Sequence, residues 1–282
     1  SQFVGGASSL SQPIEFLGMR LAHRVINGSG TFDALAALEV FDGLAQQFPF
    51  AAFVSKTVTV EPRPGNPPAR IWEQAGGMIN SIGLPNKGVE RYLAEDLPRL
   101  AELPVPLITN VMGGSSAEFG QVVDRVSDVP EIAALELNVS CPNVKTGLDI
   151  GADPVELERL LLDLRSRTQK PLIVKLTPNT ANVALTAKAA EAGGADSVSL
   201  INTLRAMVVT KDGQPWLGGR TGGLSGPAVR HVALAQVDLV ARAVNLPIVG
   251  MGGVQTGAHA KALIDVGATV VAVGTESFRD PL

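Results

Sequence analysis

The segment Glu136-Leu137-Asn138-Val139-Ser140-Cys141-Pro142-Asn143 holds the one cysteine of a 282-residue chain. It follows an apolar, strand-like run, and its thiol stands one residue before a proline, between two amides. A lone cysteine is ordinarily a small buried hydrophobe. Here Pro142 and the neighbouring amides put the thiol on a turn, because the residue before proline avoids the helical region and amides favour chain reversals. Residues of these types suit a thiol acid/base, with Asn138 and Asn143 gripping a polar heterocycle.

Two lysines interrupt apolar runs: Lys56 in Phe53-Val54-Ser55-Lys56-Thr57-Val58 and Lys175 in Leu172-Ile173-Val174-Lys175-Leu176. Lysine is rarely buried without a partner. Strand alternation puts Ile173 with Lys175 on one face, and Glu136 with Asn138 on one face. If those faces point inward, cations, a carboxylate and amides gather at one place. Asn27, Asn110 and Asn202 stand at the ends of strand-like runs. Each alone reads as turn chemistry; together they suit a ligand with many carbonyl oxygens and ring nitrogens.

Three glycine clusters suggest where that ligand carries a phosphate. Gly222-Gly223-Leu224-Ser225-Gly226-Pro227 leads into a helical pattern, and Gly252-Gly253 and Gly274-Thr275 each follow a strand directly. Glycine lets backbone N–H groups approach an anion closely, and a helix N-terminus adds a favourable field. A phosphate joined to a ring that tolerates lysine at its polar edge suggests FMN. A lysine beside the pyrimidine end would stabilise the reduced ring of a cofactor that carries the redox chemistry itself.

The elements that must hold these residues alternate between strands and helices. Apolar β-type runs occur at 24–27, 52–58, 107–111, 134–139, 172–176, 197–201, 247–251 and 270–273, separated by helical patterns such as 155–167, 181–192 and 229–244. Most strands are continuously apolar, as parallel strands covered on both faces are. Eight such units predict an α/β fold, a (β/α)8 barrel formed as a single domain over residues 1–282, with glycines and asparagines at the catalytic rim. Asp153-Pro154-Val155-Glu156 predicts an N-cap with a capping-box glutamate, and Gly193-Gly194 a helix stop. A hairpin around Gly18 is expected to plug the barrel bottom. The Pro-, Gly- and Asn-rich insertion at 61–87, after the second strand, is expected over the mouth. The sequence runs to Leu282 just past the eighth strand, so the last outer helix is expected to be absent.

Composition excludes several classes. Apolar residues make up 45% and charged residues 18%, with a net charge of −4, a globular balance that argues against nucleic acid or an acidic membrane surface as partner. One cysteine excludes an internal disulfide framework and fits a reducing compartment. No run approaches the ~20 apolar residues of a membrane helix and no leader pattern opens the chain. The expected place is the cytoplasm, and no metal site is expected.

Taken together, these motifs resemble class 1 dihydroorotate dehydrogenases over nearly the whole chain. The segments carrying the resemblance are Asn27-Gly28-Ser29-Gly30, Lys56-Thr57, Asn80-Ser81-Ile82-Gly83-Leu84-Pro85-Asn86, the Cys141 motif, Lys175-Leu176-Thr177-Pro178-Asn179, Ile201-Asn202-Thr203-Leu204, Thr221 to Pro227, and Gly250-Met251-Gly252-Gly253. Asn143-Val144-Lys145-Thr146-Gly147 and Ile201 to Leu204 look more like the 1B subclass than 1A. The resemblance implies an FMN subunit that oxidises (S)-dihydroorotate to orotate in de novo pyrimidine (UMP) biosynthesis. It implies cofactor contacts by Ser29, Lys56, Thr57, Asn110, Asn138, Lys175, Ile201, Gly226, Gly252, Gly253, Gly274 and Thr275. It implies substrate contacts by Lys56, Asn80, Ser81, Ile82, Gly83, Leu84, Asn138, Asn143, Asn202 and Thr203. Cys141 takes the position of the family's base, removing a proton from carbon 5 as hydride leaves carbon 6 for the flavin.

The 1B resemblance also implies a partner subunit with FAD and an iron–sulfur cluster that passes electrons to NAD, and a homodimer of barrels flanked by two such subunits in a heterotetramer. A single cysteine cannot supply the four thiolates of such a cluster. The nearest rival is the catalytic subunit of a dihydropyrimidine dehydrogenase, where histidine is expected in place of Asn143. A transfer-RNA uridine reductase would need a basic footprint, and a flavin barrel serving only in assembly would not need the thiol, amides and lysines.

Overall fold

Strands buried on both faces draw their sequences mostly from apolar residues, and the barrel strands follow this rule except at the few buried polar positions, such as Asn27, Asn110, Glu136 and Lys175. The computed structural model describes residues 9–140 and 149–281; Cys141 and Asn143 lie outside the described residues. The chain runs through the hairpin β1 (Ile14–Phe16) and β2 (Met19–Leu21), then β3 (Val25–Asn27), α1 (Ala34–Val40) and β4 (Phe53–Val54). A second hairpin follows, β5 (Ile71–Gln74) and β6 (Gly77–Asn80), then α2 (Val89–Arg91) and α3 (Leu97–Leu100), joined by a π-helical turn at Tyr92–Asp96. Next come β7 (Leu107–Val111), α4 (Ser116–Ser127), β8 (Ile132–Asn138), α5 (Pro154–Arg167), β9 (Leu172–Lys175) and α6 (Val183–Ala192). The chain continues with β10 (Ser197–Leu200), β11 (Leu204–Ala206), β12 (Gly222–Ser225), α7 (Arg230–Ala243), β13 (Ile248–Met251), α8 (Gly257–Asp265) and β14 (Val270–Val273).

Eight strands form one sheet in the order β3-β14-β13-β10-β9-β8-β7-β4, and its pairings are parallel. With helices between the strands, this is the expected (β/α)8 barrel. The two ends of the ladder, β3 and β4, are tied by a side chain. Asn27 Nδ2 donates to the Val54 carbonyl at 2.8 Å, and Asn27 Oδ1 accepts from the Val54 N–H at 2.8 Å. The amide thus imitates a strand partner and closes the barrel. Asn27 was expected on the rim with Asn110 and Asn202; it is instead fully buried in this seam.

Side-chain alternation divides the core in two. Leu135, Leu137, Leu172, Val174, Val198 and Leu200 face outward against the helices. Alanine, valine and isoleucine at Ala134, Ile173, Val249, Val270 and Ala272 face inward and meet Phe16, Met19 and Leu21 of the first hairpin. The hairpin therefore plugs the barrel where the strands begin, as expected. Its turn is tight because Leu17 and Gly18 both take positive φ, 50° and 78°, which matches the twist of a two-residue hairpin. On the outer layer, α4 buries Phe119, Val122, Val123 and Val126 at helical spacing, each contributing about 1.5–3 kcal/mol of apolar burial.

Helix ends follow the expected punctuation with one change. Asp153 caps α5 by accepting from the N–H groups of Val155 and Glu156 at 3.0 and 3.2 Å. Glu156 does not complete a capping box: it pairs with Arg159, while the Asp153 N–H donates to Ile150. Gly193 caps α6 and Gly194 turns with φ 95°.

The insertion at 61–87 is more ordered than its composition implies. Its hairpin joins a four-stranded antiparallel sheet in the order β11-β12-β6-β5, with Trp72 and Trp216 edge to face at 5.9 Å. The segment 222–225, expected as part of a phosphate loop, is a strand of that sheet. Glycine is needed there for close packing: a Cβ on Gly223 would strike the Thr203 side chain. No helix among the described residues is long and apolar enough to cross a membrane.

Candidate active site

The second barrel strand does not run as regularly as its apolar pattern predicts. Val54 pairs with Ile108 and Val58 bridges to Val111, so four steps on one strand match three on the other. The extra residue is a bulge, and Ser55 stabilises it by accepting the Asn110 N–H on its hydroxyl at 3.0 Å. Plain alternation would turn Val54, Lys56 and Val58 all inward. The bulge instead sends Val58 to the outer core and brings Lys56 and Thr57 to the same cavity, a re-aiming of side chains that bulges beside functional sites commonly achieve.

That cavity, about 540 Å3, lies at the C-terminal ends of the barrel strands under the four-stranded sheet, within the roughly 300–1,000 Å3 of small-molecule sites. One end is lined by Gly226, Gly252, Gly253, Gly274 and Thr275. Among the described residues, the backbone N–H groups of Gly252, Gly253, Gly274 and Thr275 have no acceptor. Gly252 and Gly253 take φ 132° and 71°, and a Cβ there would come within 2.7 Å of Ala233 and 2.8 Å of the Gly226 carbonyl. Only glycine fits at these two positions. Pro227 opens a 3-10 turn that runs into α7, so a helix N-terminus also faces this end. Free N–H groups and a helix N-terminus are what a phosphate requires.

The other end is rich in side-chain donors. Lys175 is only 9% exposed, and its ammonium has no hydrogen bond or ion pair among the described residues. Lys56 stands at the open mouth, where the walls desolvate its ammonium and lower its pKa; Asp33 opposes that shift and Arg70 adds to it. Asn138 Oδ1 accepts the Ser140 N–H at 3.2 Å, which leaves the Asn138 amide N–H groups for the cavity. Asn202 is held at both ends, donating to Ser140 Oγ at 3.1 Å and accepting from the Thr203 N–H at 2.8 Å. Between the two ends the lining is apolar, with Ile201, Met78 and Leu224. The arrangement suits an elongated anion with a flat, polar-edged ring.

The structure brings together most of the residues singled out from sequence. Ser29, Ile201, Asn80, Ile82, Leu84 and Thr203 line the cavity with those above. Asn110 does not: it is fully buried one layer below, bonded to Thr57 and Glu136. Ser81 and Gly83 also stay off the lining, turned toward Asn66, which donates to Ser81 Oγ at 3.0 Å. Sequence reasoning missed Arg230, which donates to the Gly253 carbonyl at 2.8 Å and to Gln255 at 2.7 Å and so braces the glycine cradle. It also missed Ser225, joined to Thr275 at 2.6 Å. An arginine in the first turn after Gly-Pro was the available signal for the former; the latter depends on the small sheet. A second cavity of about 480 Å3 shares Gly30, Lys56 and Thr57. It lacks the glycine cradle, and its Lys87 and Arg99 are already paired with Asp96 and Glu39.

Comparison with known proteins agrees with this chemistry. A family model described as dihydroorotate dehydrogenase matches residues 12–282. A Pelobacter propionicus protein named dihydroorotate dehydrogenase B (NAD(+)), catalytic subunit, is 43% identical over 270 residues, covering 95% of this chain and 88% of the relative. Proteins of the same name from Alkaliphilus oremlandii and Desulforudis audaxviator are each 44% identical over 95% of this chain, covering 88% and 87% of those relatives.

Proposed function

Since the chain belongs to the dihydroorotate dehydrogenase family, we propose that it oxidises (S)-dihydroorotate to orotate in pyrimidine biosynthesis as the FMN-bearing catalytic subunit of an NAD-linked enzyme. The observation that carries this reading is a cavity that has, among the described residues, four backbone N–H groups without an acceptor at one end and the buried Lys175 without a partner at the other. FMN fits that donor set, phosphate in the glycine cradle and ring beside Lys175, and when bound it supplies the acceptor for hydride and the route for electrons onward.

The chain's own residues do the rest. Gly226, Gly252, Gly253, Gly274 and Thr275 hold the phosphate. Ser29, Lys56, Thr57, Asn138, Lys175 and Ile201 surround the ring, and Asn110 supports it from beneath. Lys56 and the segment from Asn80 to Leu84 take the substrate carboxylate, an anion that a cation and backbone donors can hold. Asn138, Asn143, Asn202 and Thr203 orient the pyrimidine through its carbonyl and N–H groups. Cys141 removes the proton from carbon 5 while hydride departs from carbon 6.

Residues 1–282 act as one FMN-binding unit, and the chain functions in the cytoplasm. Its relatives' name, catalytic subunit, supports a partner that accepts the electrons. We assign FAD and an iron–sulfur cluster to that partner, because one cysteine cannot ligate a cluster, and place the barrel as a homodimer at the centre of a heterotetramer. The test is anaerobic addition of dihydroorotate to the FMN-loaded protein. Rapid bleaching of the yellow band is expected. Bleaching by dihydrouracil but not dihydroorotate, or by neither, refutes the reading.

A further inference from the structure

Beneath the cavity floor, four buried side chains from four different strand regions form one hydrogen-bonded chain across the barrel. Thr57 Oγ1 donates to Asn110 Oδ1 at 2.7 Å, Asn110 Nδ2 donates to Glu136 Oε1 at 2.7 Å, and Ser199 Oγ donates to Glu136 Oε2 at 2.9 Å. All four are at most 4% exposed. Glu136 is the one carboxylate of this hydrogen-bonded network, and one donor converges on each of its oxygens.

The chemistry of a carboxylate sets the direction of every bond. An ionised carboxylate offers lone pairs and no proton. Asn110 must therefore turn its NH2 toward Glu136, which leaves Oδ1 facing Thr57. A carbonyl oxygen only accepts, so the Thr57 hydroxyl proton is committed to it. Thr57 lines the cavity, and its oxygen has only lone pairs left to offer there. Ser29 is committed in the same sense, donating to the Ser55 carbonyl at 2.8 Å. On the wall formed by the first two strands the two hydroxyls of Ser29 and Thr57 thus present acceptors beside the Lys56 ammonium, in the same cavity as the donors of Asn138 and Lys175.

We propose that Glu136 is a positioning residue which, through Asn110, fixes the Thr57 hydroxyl as a hydrogen-bond acceptor for a ring N–H of the cofactor. The inference rests on the FMN reading above. Without the carboxylate, the Asn110 amide is free to turn over, and Thr57 then presents its proton to a ring N–H that also carries one. Glu136 touches neither cofactor nor substrate; it acts two bonds away by removing that freedom.

The experiment is a double-mutant cycle read by FMN titration of the apoprotein, with no turnover involved. Thr57→Val and Glu136→Leu are each expected to weaken FMN binding about tenfold, the usual scale of one hydrogen bond to a buried site. The double variant is expected to be no more than about twofold weaker than the worse single, since both changes remove the same contact. Additive losses, near a hundredfold in the double, assign Glu136 a purely structural role and overturn the proposal. Wild-type affinity in Thr57→Val overturns it as well. If Glu136→Leu does not fold, Asn110→Asp and Asn110→Asp/Glu136→Gln serve instead. The first sets two carboxylates face to face and must weaken FMN binding. The second exchanges amide and carboxylate while keeping the Thr57 bond direction, and must restore affinity to within about threefold; failure to restore it refutes the proposal. A wild-type protein that binds no FMN overturns the cofactor reading itself, which the variants alone cannot do.

Discussion

Replacing Lys175 with methionine keeps the length and volume of the side chain and deletes one charge. In the structure that charge is 9% exposed and has no carboxylate or hydrogen-bond partner among the described residues. That ammonium opens onto the cavity among partly apolar walls, so in the apoprotein it is hydrated less fully than a surface lysine. The apoprotein of Lys175→Met should therefore be at least as stable as wild type, with a gain of up to about 4 kcal/mol, the upper end seen when buried ion pairs give way to apolar groups. For a domain of this size that raises the melting temperature by roughly 2–4 °C per kcal/mol. The holoprotein should move the other way. A cation about 4 Å from the charge gained on reduction is worth about 4 kcal/mol at an effective dielectric constant near 20. At about 30 mV per 1.4 kcal/mol for a two-electron couple, the flavin potential should fall by roughly 85 mV. The assays are thermal unfolding of the apoprotein and equilibration of bound flavin with a reference dye. An apoprotein that melts lower than wild type, or a potential unchanged within about 15 mV, would refute the argument that this lysine is held in reserve for a ligand.

Asn27→Leu opens the seam between β3 and β4 and orphans the buried N–H and C=O of Val54; a loss of about 2–6 kcal/mol in urea unfolding is expected, at about 1–3 kcal/mol per stranded group. Tyr92 is buried with its hydroxyl 2.8 Å from Thr109, and burial pushes its pKa up to about 12. Because the folded value lies above the ordinary one, this contribution is complete below pH ~10 and is lost as pH rises toward ~12, a fall of about 2–3 kcal/mol. In Tyr92→Phe that alkaline slope should be shallower, as measured by unfolding at stepped pH. Cys141→Ser should slow flavin reduction at least ~100-fold, and in wild type the rate should rise with pH toward the ordinary thiol pKa near ~8.5. Stopped-flow reduction measures both, and a flat profile or a fully active serine variant removes Cys141 from the base position.

Much of the architecture was legible in the residues themselves. Largely apolar β-type runs located all eight barrel strands, because burial on both faces leaves a local mark along most of each strand. The hairpin around Gly18 and the Asp153 cap are legible in sequence, because turns and caps are settled within a few residues. Many of the residues that gather at the cavity were also conspicuous in sequence: lysines inside apolar strands and glycines directly after strands are anomalies whatever the fold around them.

Other features needed the tertiary structure, and each joins residues far apart in the chain. Asn27 acts on a strand 27 positions away, so its amide reads locally as another turn former. The bulge that turns Lys56 and Thr57 together exists only against β7, through Ser55 and the Asn110 N–H. The segment 222–225 became a strand because the insertion hairpin, more than 140 residues earlier, offers it an edge. Glu136 carried no sign in sequence of which partners it would bind. Periodicity, caps and composition are local properties and survive in the sequence; which side chain completes another's hydrogen bonds is decided only when the barrel closes.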